Sequence, residues 1–231
     1  MRINCKPAVS QIAALCCLLS FFVGQHLFAE EVHVLESDTY FLAPVDKQHQ
    51  LPENYVPELV ECTILGSTAV VTPETETALR SLMVHASQNG IILEIISSYR
   101  SYSRQESVFA YWVQYEVDRG ASRSQARSLA SQYSALPGHS EHQLGTAVDL
   151  NIVGTPRFQS IEDTMYQYLA SNAHLFGFII SYPPDREQET GYTFEPWHIR
   201  YVGRNIAQQM FENNYLITGL TPNRFLARLW Y

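Results

Sequence analysis

The stretch that most constrains this chain is Ala147-Val148-Asp149-Leu150-Asn151-Ile152. Val148, Leu150 and Ile152 fall on one side and Ala147, Asp149 and Asn151 on the other, the period-two pattern of a strand. A carboxylate among aliphatics is costly to bury unless it is paired or metal-bound, so Asp149 demands a partner. Just upstream, Pro137-Gly138 marks a turn, and Gly145 stands between that turn and the strand. Three segments therefore concentrate polar groups that a core would not accept: Pro137 to Asp149, Glu195-Pro196-Trp197-His198, and Tyr99-Arg100 after an apolar run.

The surrounding pattern is mixed. Thr72 and Pro73 open a helix with Leu79, Leu82, Met83 and Ala86 on one face, and Asn89-Gly90 stops it. Ile91 to Ile96 reads as a buried strand. Ser103 with Glu106 forms a capping box for a helix carrying Phe109, Trp112, Val113 and Val117. Ser122 to Ser131 and Ser160 to Ala173 predict further helices, Phe178 to Tyr182 and Trp197 to Tyr201 further strands, and Gly203 to Asn213 a last helix. Helices and short strands without a regular β-α rhythm indicate an α+β domain.

Composition narrows the class. The chain has 231 residues, 46% hydrophobic, enough for a core in one globular domain with an appendage. Fifteen basic residues against twenty-three acidic ones argue against a nucleic-acid surface. Arg2 and Lys6 precede an apolar run of about 13 residues, Ile12 to Gly24, short of the roughly 20 that a spanning helix needs. With Leu27-Phe28-Ala29 beyond it, residues 1–29 read as a secretory signal peptide, and no stable membrane span is expected after cleavage. Residues 30–61, punctuated by Pro44, Pro52 and Pro57, read as an N-terminal arm, and 62–231 as the main domain. Cys5, Cys16 and Cys17 leave with the leader, so Cys62 alone remains and forms no internal disulfide.

Two imidazoles and one carboxylate are a ligand set for catalytic zinc that leaves one position open. His142, Asp149 and His198 fit that set, although any one of them taken alone reads as a packed structural residue. Glu195 is the candidate base. Pro196 forces Glu195 into extended backbone, so this is not a helical pair of histidines flanking a glutamate. Glu195 must lie in the turn before the strand of His198. Arg100 offers paired donors for a developing oxyanion, or a surface ion pair. His139 is either a donor to a ligand or a plain turn residue.

Tyr99-Arg100-Ser101, the pattern S-x-H-x-x-G-x-A-x-D over Ser140 to Asp149, and Glu195-Pro196-Trp197-His198 resemble the VanY-like zinc D-alanyl-D-alanine carboxypeptidases. The resemblance runs from about Thr72 to Gly203 and includes Phe176-Gly177-Phe178, Tyr182-Pro183 and Gly191-Tyr192. It implies a small antiparallel sheet with flanking helices, of the hedgehog and D,D-peptidase type, with Zn²⁺ held by His142, Asp149 and His198. It further implies that Glu195 takes a proton from the zinc's water and passes it to the leaving amine, while Arg100 holds the oxyanion. Ser140, Gln105 and Tyr99 match positions that line the substrate pocket. The implied substrate is a peptidoglycan stem peptide that loses its C-terminal D-alanine outside the cytoplasm, at the periplasmic or extracellular face of the cytoplasmic membrane. An L,D-carboxypeptidase acting on tetrapeptide stems and a non-catalytic wall-peptide binder are the rival readings. Relatives carry an Arg where Ser181 stands, and Arg186 is the nearby cation that would replace it.

Overall fold

The structure, a computed structural model, describes residues 42–156 and 164–217. Its elements are β1 (Val60–Ile64), β2 (Ser67–Val71), α1 (Pro73–Gln88), β3 (Leu93–Ser97), α2 (Tyr102–Asp118), α3 (Arg123–Ala130), β4 (Ala147–Ile152), α4 (Thr164–Asn172), β5 (Phe178–Ile180), α5 (Glu187–Thr190), β6 (His198–Tyr201) and α6 (Arg204–Asn213). The expected leader, the first part of the arm and the start of the helix expected from Ser160 lie outside the described residues.

β3, β4, β6 and β5 form an antiparallel sheet in that spatial order, and β1 pairs with β2 in a separate hairpin. The α+β expectation holds. Alternation sorts the sheet into two faces. Val148, Leu150, Phe178 and Ile199 enter the main core with Leu79, Leu82 and Met83 of α1 and Leu169 of α4. The opposite face carries Asp149, His198 and Arg200. Asp149 is the direct cross-strand partner of His198, and the small Ala147 stands opposite Arg200, leaving room for its long side chain. A register shift between Ile95 and Ser97 lies just before the polar segment that leads to Arg100.

Several ends differ in detail from the sequence reading. Thr72 precedes α1 as expected, yet its hydroxyl pairs with that of Thr75 at 2.8 Å and caps no backbone N–H. α2 starts two residues earlier than the capping-box reading, because Ser101 accepts from Arg104 N. The β1–β2 hairpin was not anticipated. Its turn places Leu65 and Gly66 at φ 47° and 90°. The described part of the proline-punctuated segment is packed against the domain: Ala43, Val45 and Leu51 are buried with Leu144. Gln143 Nε2 donates to the carbonyls of Pro52 and Tyr55 at 3.0 and 3.3 Å. No helix among the described residues is long and apolar enough to cross a membrane.

Candidate metal centre

Cross-strand pairing and one turn assemble the centre. Asp149 on β4 and His198 on β6 are neighbours by register. His142 arrives from a single 3-10 turn, Glu141–Leu144, that ends at Gly145 with φ 72°. A Cβ at Gly145 would lie 2.8 Å from Leu59 Cδ2 and 3.2 Å from Pro57 and Thr72, so only glycine lets the chain enter β4 here. One ligand atom each from His142, Asp149 and His198 lies within 4.8 Å of the others, a group able to hold a metal ion.

Both rings are aimed by their outer nitrogens. His142 Nδ1 lies 2.7 Å from the carbonyl of Ser98 and donates to it, which turns Nε2 inward. That Nε2 is buried without a hydrogen-bond partner, 3.3 Å from Asp149 Oδ2. His198 is mounted the other way round. Its Nε2 donates to Glu141 Oε2 at 2.9 Å, and its Nδ1 lies 3.0 Å from Asp149 Oδ1. Outer-nitrogen partners of this kind orient metal-binding histidines and raise their basicity. The buried, unpaired Nε2 and the inward Nδ1 converge with a carboxylate, so these residues fit a divalent ion.

Glu141, which the sequence reading left without a role, is almost fully buried. It also accepts from Ser181 Oγ at 2.6 Å and from Arg200 Nη1 at 2.8 Å. Arg200 in turn donates to the carbonyl of Ala43 at 2.8 Å, so the N-terminal segment supports the ring of His198 through two charged side chains. Burial alone would raise the Glu141 carboxyl, but Arg200, His198 and Ser181 outweigh it and hold it at about 2. Ser181 therefore faces a structural carboxylate. Arg186 does not take its place as a pocket cation, because it is held at the surface by Glu189 at 2.8 Å.

Glu195 sits where Pro196 was expected to put it. Its carbonyl accepts from His198 N at 3.2 Å, closing a tight turn, and its own N–H donates to Tyr182 O. The carboxylate then lies 3.9 Å from His198 Nδ1. Burial pushes the Glu195 carboxyl up to about 8, with Asp149 and Glu141 adding to the rise and His198 and Arg100 opposing it. Burial pushes His142 down to about 4. Burial also disfavours a charged His198, but the hydrogen bonds it donates to Asp149 and Glu141 reverse this and raise it to about 10.

Arg100 donates through Nη1 to Gln105 Oε1 at 2.7 Å and approaches Asp149 Oδ2 with Nη2 at 3.4 Å. Its Nε–H is buried with no partner among the described residues, a donor left over in the cleft wall. Gln105 was expected to line the pocket. It is instead fully buried, and its amide is spent on Arg100 and on the carbonyl of Ala135 at 2.7 Å, so it aims Arg100 and does not face a substrate. Ser140 is also buried, at the head of the 3-10 turn and outside the cleft wall. Tyr99 does line the cleft. His139 turns away to bond the carbonyl of Asp46.

A cleft of about 610 Å³ opens beside these groups, bounded by Tyr99, Arg100, Asp149, Glu195, Trp112 and Trp197. Residues 68–204, more than half of the chain, match the family model described as VanY: D-alanyl-D-alanine carboxypeptidase. The D-alanyl-D-alanine carboxypeptidase of Enterococcus faecalis is 33% identical over 76% of this chain, a match that spans 63% of that protein's length. Among solved structures, VanYB in complex with D-alanine-D-alanine is 32% identical, with a TM-score of 0.69 over 77% of this chain and 95% of that one. A VanY variant from a VanB-type resistance cassette, in complex with Zn(II), matches with the same identity and TM-score over 77% of this chain and 97% of its own. The LdcB LD-carboxypeptidase is 32% identical with a TM-score of 0.66, over 80% of this chain and 86% of that one.

Proposed function

The chain belongs to the VanY family of D-alanyl-D-alanine carboxypeptidases, and from that premise we propose that it is a zinc carboxypeptidase removing the C-terminal D-alanine of peptidoglycan stem peptides. The observation that carries this reading is the convergence of His142, Asp149 and His198 beside a buried carboxylate that is not needed to hold metal.

His142 through Nε2, His198 through Nδ1 and Asp149 would hold Zn²⁺, the metal present in a solved relative. Bound there, zinc supplies a Lewis acid that makes water nucleophilic at neutral pH and polarises a carbonyl. The chain's own groups do the rest. Glu195, desolvated and poised well above an ordinary carboxylate, receives the proton of the attacking water and returns it to the leaving amine. A cation held by the three ligands draws its pKa down toward the working range by simple Coulomb attraction. Arg100, held by Gln105 in the cleft wall, stabilises negative charge developing on the scissile carbonyl oxygen. Tyr99 lines the wall along which the peptide lies.

Such a substrate lies outside the cytoplasm, so residues 1–29 acting as an export signal complete the reading, with the catalytic domain taking in β1 and the segment from residue 42 that packs beneath the site. The test is a digest of penta- and tetrapeptide muropeptides by the zinc-loaded protein, with and without a chelator. Chelator-sensitive loss of one D-alanine from the pentapeptide supports the reading. The similarity to an LD-carboxypeptidase is why the tetrapeptide is included: trimming of the tetrapeptide alone would move the assignment to the L,D bond.

A further inference from the structure

Among the described residues Arg104 is a cation with no counter-charge. It stands in the first turn of α2, exposed, and its guanidinium makes no hydrogen bond or ion pair among the described residues. The position is unfavourable on two counts. A helix N-terminus carries partial positive charge, so a basic side chain there is unfavourable, and α2 has no acidic residue in that turn to offset it. Arg104 also repels Arg100, which precedes the cap of α2. A chain with a net charge of −8 could have placed an acid beside it.

The cleft gives the reason. Arg104, Val108 and Trp112 are spaced by four along α2 and all line the cleft, whereas Gln105, Phe109 and Val113 form the buried face of the same helix. The lining face runs about 12 Å along the helix axis, starting next to Arg100. A released alanine is far too small to need such a wall. Pockets of roughly 300–1,000 Å³ enclose whole drug-sized ligands, and this one measures about 610 Å³. Most of it must therefore receive the part of the peptide that lies before the scissile bond.

We propose that Arg104, on the Arg104–Val108–Trp112 face of α2, is a specificity residue that binds a free carboxylate on the substrate upstream of the cleaved bond, while Val108 and Trp112 pack against the intervening peptide. The proposal rests on the carboxypeptidase reading and names the substrate class within it: acidic, non-amidated peptides.

Two synthetic peptides test it, N-acetyl-γ-D-glutamyl-L-lysyl-D-alanyl-D-alanine with a free glutamyl α-carboxylate and its α-carboxamide twin. The zinc-loaded wild type is expected to prefer the carboxylate by about tenfold in kcat/KM, mainly through KM, as one charge-assisted hydrogen bond would give. Arg104→Gln should bring the ratio close to one, and Arg104→Lys should restore part of it. A ratio unchanged by Arg104→Gln, or an equal loss on both peptides, overturns the proposal. Equilibrium titration of both peptides, and of a third amidated at its C-terminus, into wild type and Arg104→Gln reads the same preference without turnover. An Arg104 effect that vanishes only with the C-terminal amide also overturns it. Peptides that bind with the expected ratio but are never cleaved would defeat the peptidase reading and leave this one standing.

Discussion

Glu141 Oε2 accepts a hydrogen bond from His198 Nε2 at 2.9 Å, and this one contact decides which nitrogen of His198 faces Asp149. Fifty-seven residues separate the two in the chain. Because Arg200 and Ser181 clamp the same carboxylate, the ring cannot rotate without breaking a buried ionic network. Replacing Glu141 by Gln keeps the shape but allows the amide to present a donor to the ring, and it removes the charge opposite Arg200. Metal affinity should fall by about 10- to 100-fold, as loss of such supports typically causes, and competition with a chromophoric chelator measures it. Zinc affinity equal to wild type would show that the ring is aimed by something else.

Gly145 is the second support. Its φ of 72° and the 2.8 Å approach of Leu59 Cδ2 to a built Cβ mean that Gly145→Ala both strains the backbone and pushes against the N-terminal segment. The expected cost is about 1–3 kcal/mol in denaturant unfolding. His142 lies three residues back on the same turn, so zinc affinity should fall as well. Gly154, also at positive φ but with open space around it, is the control: Gly154→Ala carries strain without collision and should leave zinc binding intact.

Much of this site was legible because the relevant signals are local. The alternation around Asp149, the turn before it and the extended Glu195-Pro196 step each lie within a few residues, and the structure puts β4 and the Glu195 turn where those patterns point. What escaped depends on distance in the chain. Glu141 and Arg200 are 59 residues apart, and nothing in the local pattern of either says that the two charges meet. Gln105 was placed in the pocket by the resemblance alone, whereas its spacing of four from Phe109 puts it on the buried face of α2. The β1–β2 hairpin lacks the Asn-Gly or Asp-Gly turn that usually announces one, using Leu65-Gly66 instead. Ser101 and Ser103 are both plausible caps by composition, and only the hydrogen bond to Arg104 N separates them.

In the metal-free protein the stability contributed by Glu195 should fall as pH rises. Burial raises the Glu195 carboxyl to about 8 in the folded chain, against about 4.3 when unfolded. Between those values the folded state keeps a proton that the unfolded state has released, so unfolding free energy declines with increasing pH. The contribution is fully present below about pH 4.3 and is lost as pH passes about 8. Glu195→Gln, neutral at every pH, should flatten this slope by an amount on the order of a few kcal/mol across the window. Urea midpoints of metal-free wild type and variant between pH 5 and 8 would check it, and parallel curves would contradict a desolvated Glu195.

The same substitution separates metal holding from proton transfer. Glu195 lies 3.9 Å from His198 Nδ1 and outside the group of three ligands, so Glu195→Gln should bind zinc with unaltered stoichiometry by elemental analysis. Its turnover should nevertheless drop by about 10²-fold or more, the usual consequence of removing a positioned base. His198→Ala should behave in the opposite order, losing metal first and activity as a result. Added zinc should then restore part of the His198→Ala rate and none of the Glu195→Gln rate, because an excess of ion refills a weakened site but supplies no proton acceptor. A Glu195→Gln enzyme that turns over at the wild-type rate would mean that another group moves the proton, and His198→Ala retaining full zinc occupancy would remove His198 from the ligand set.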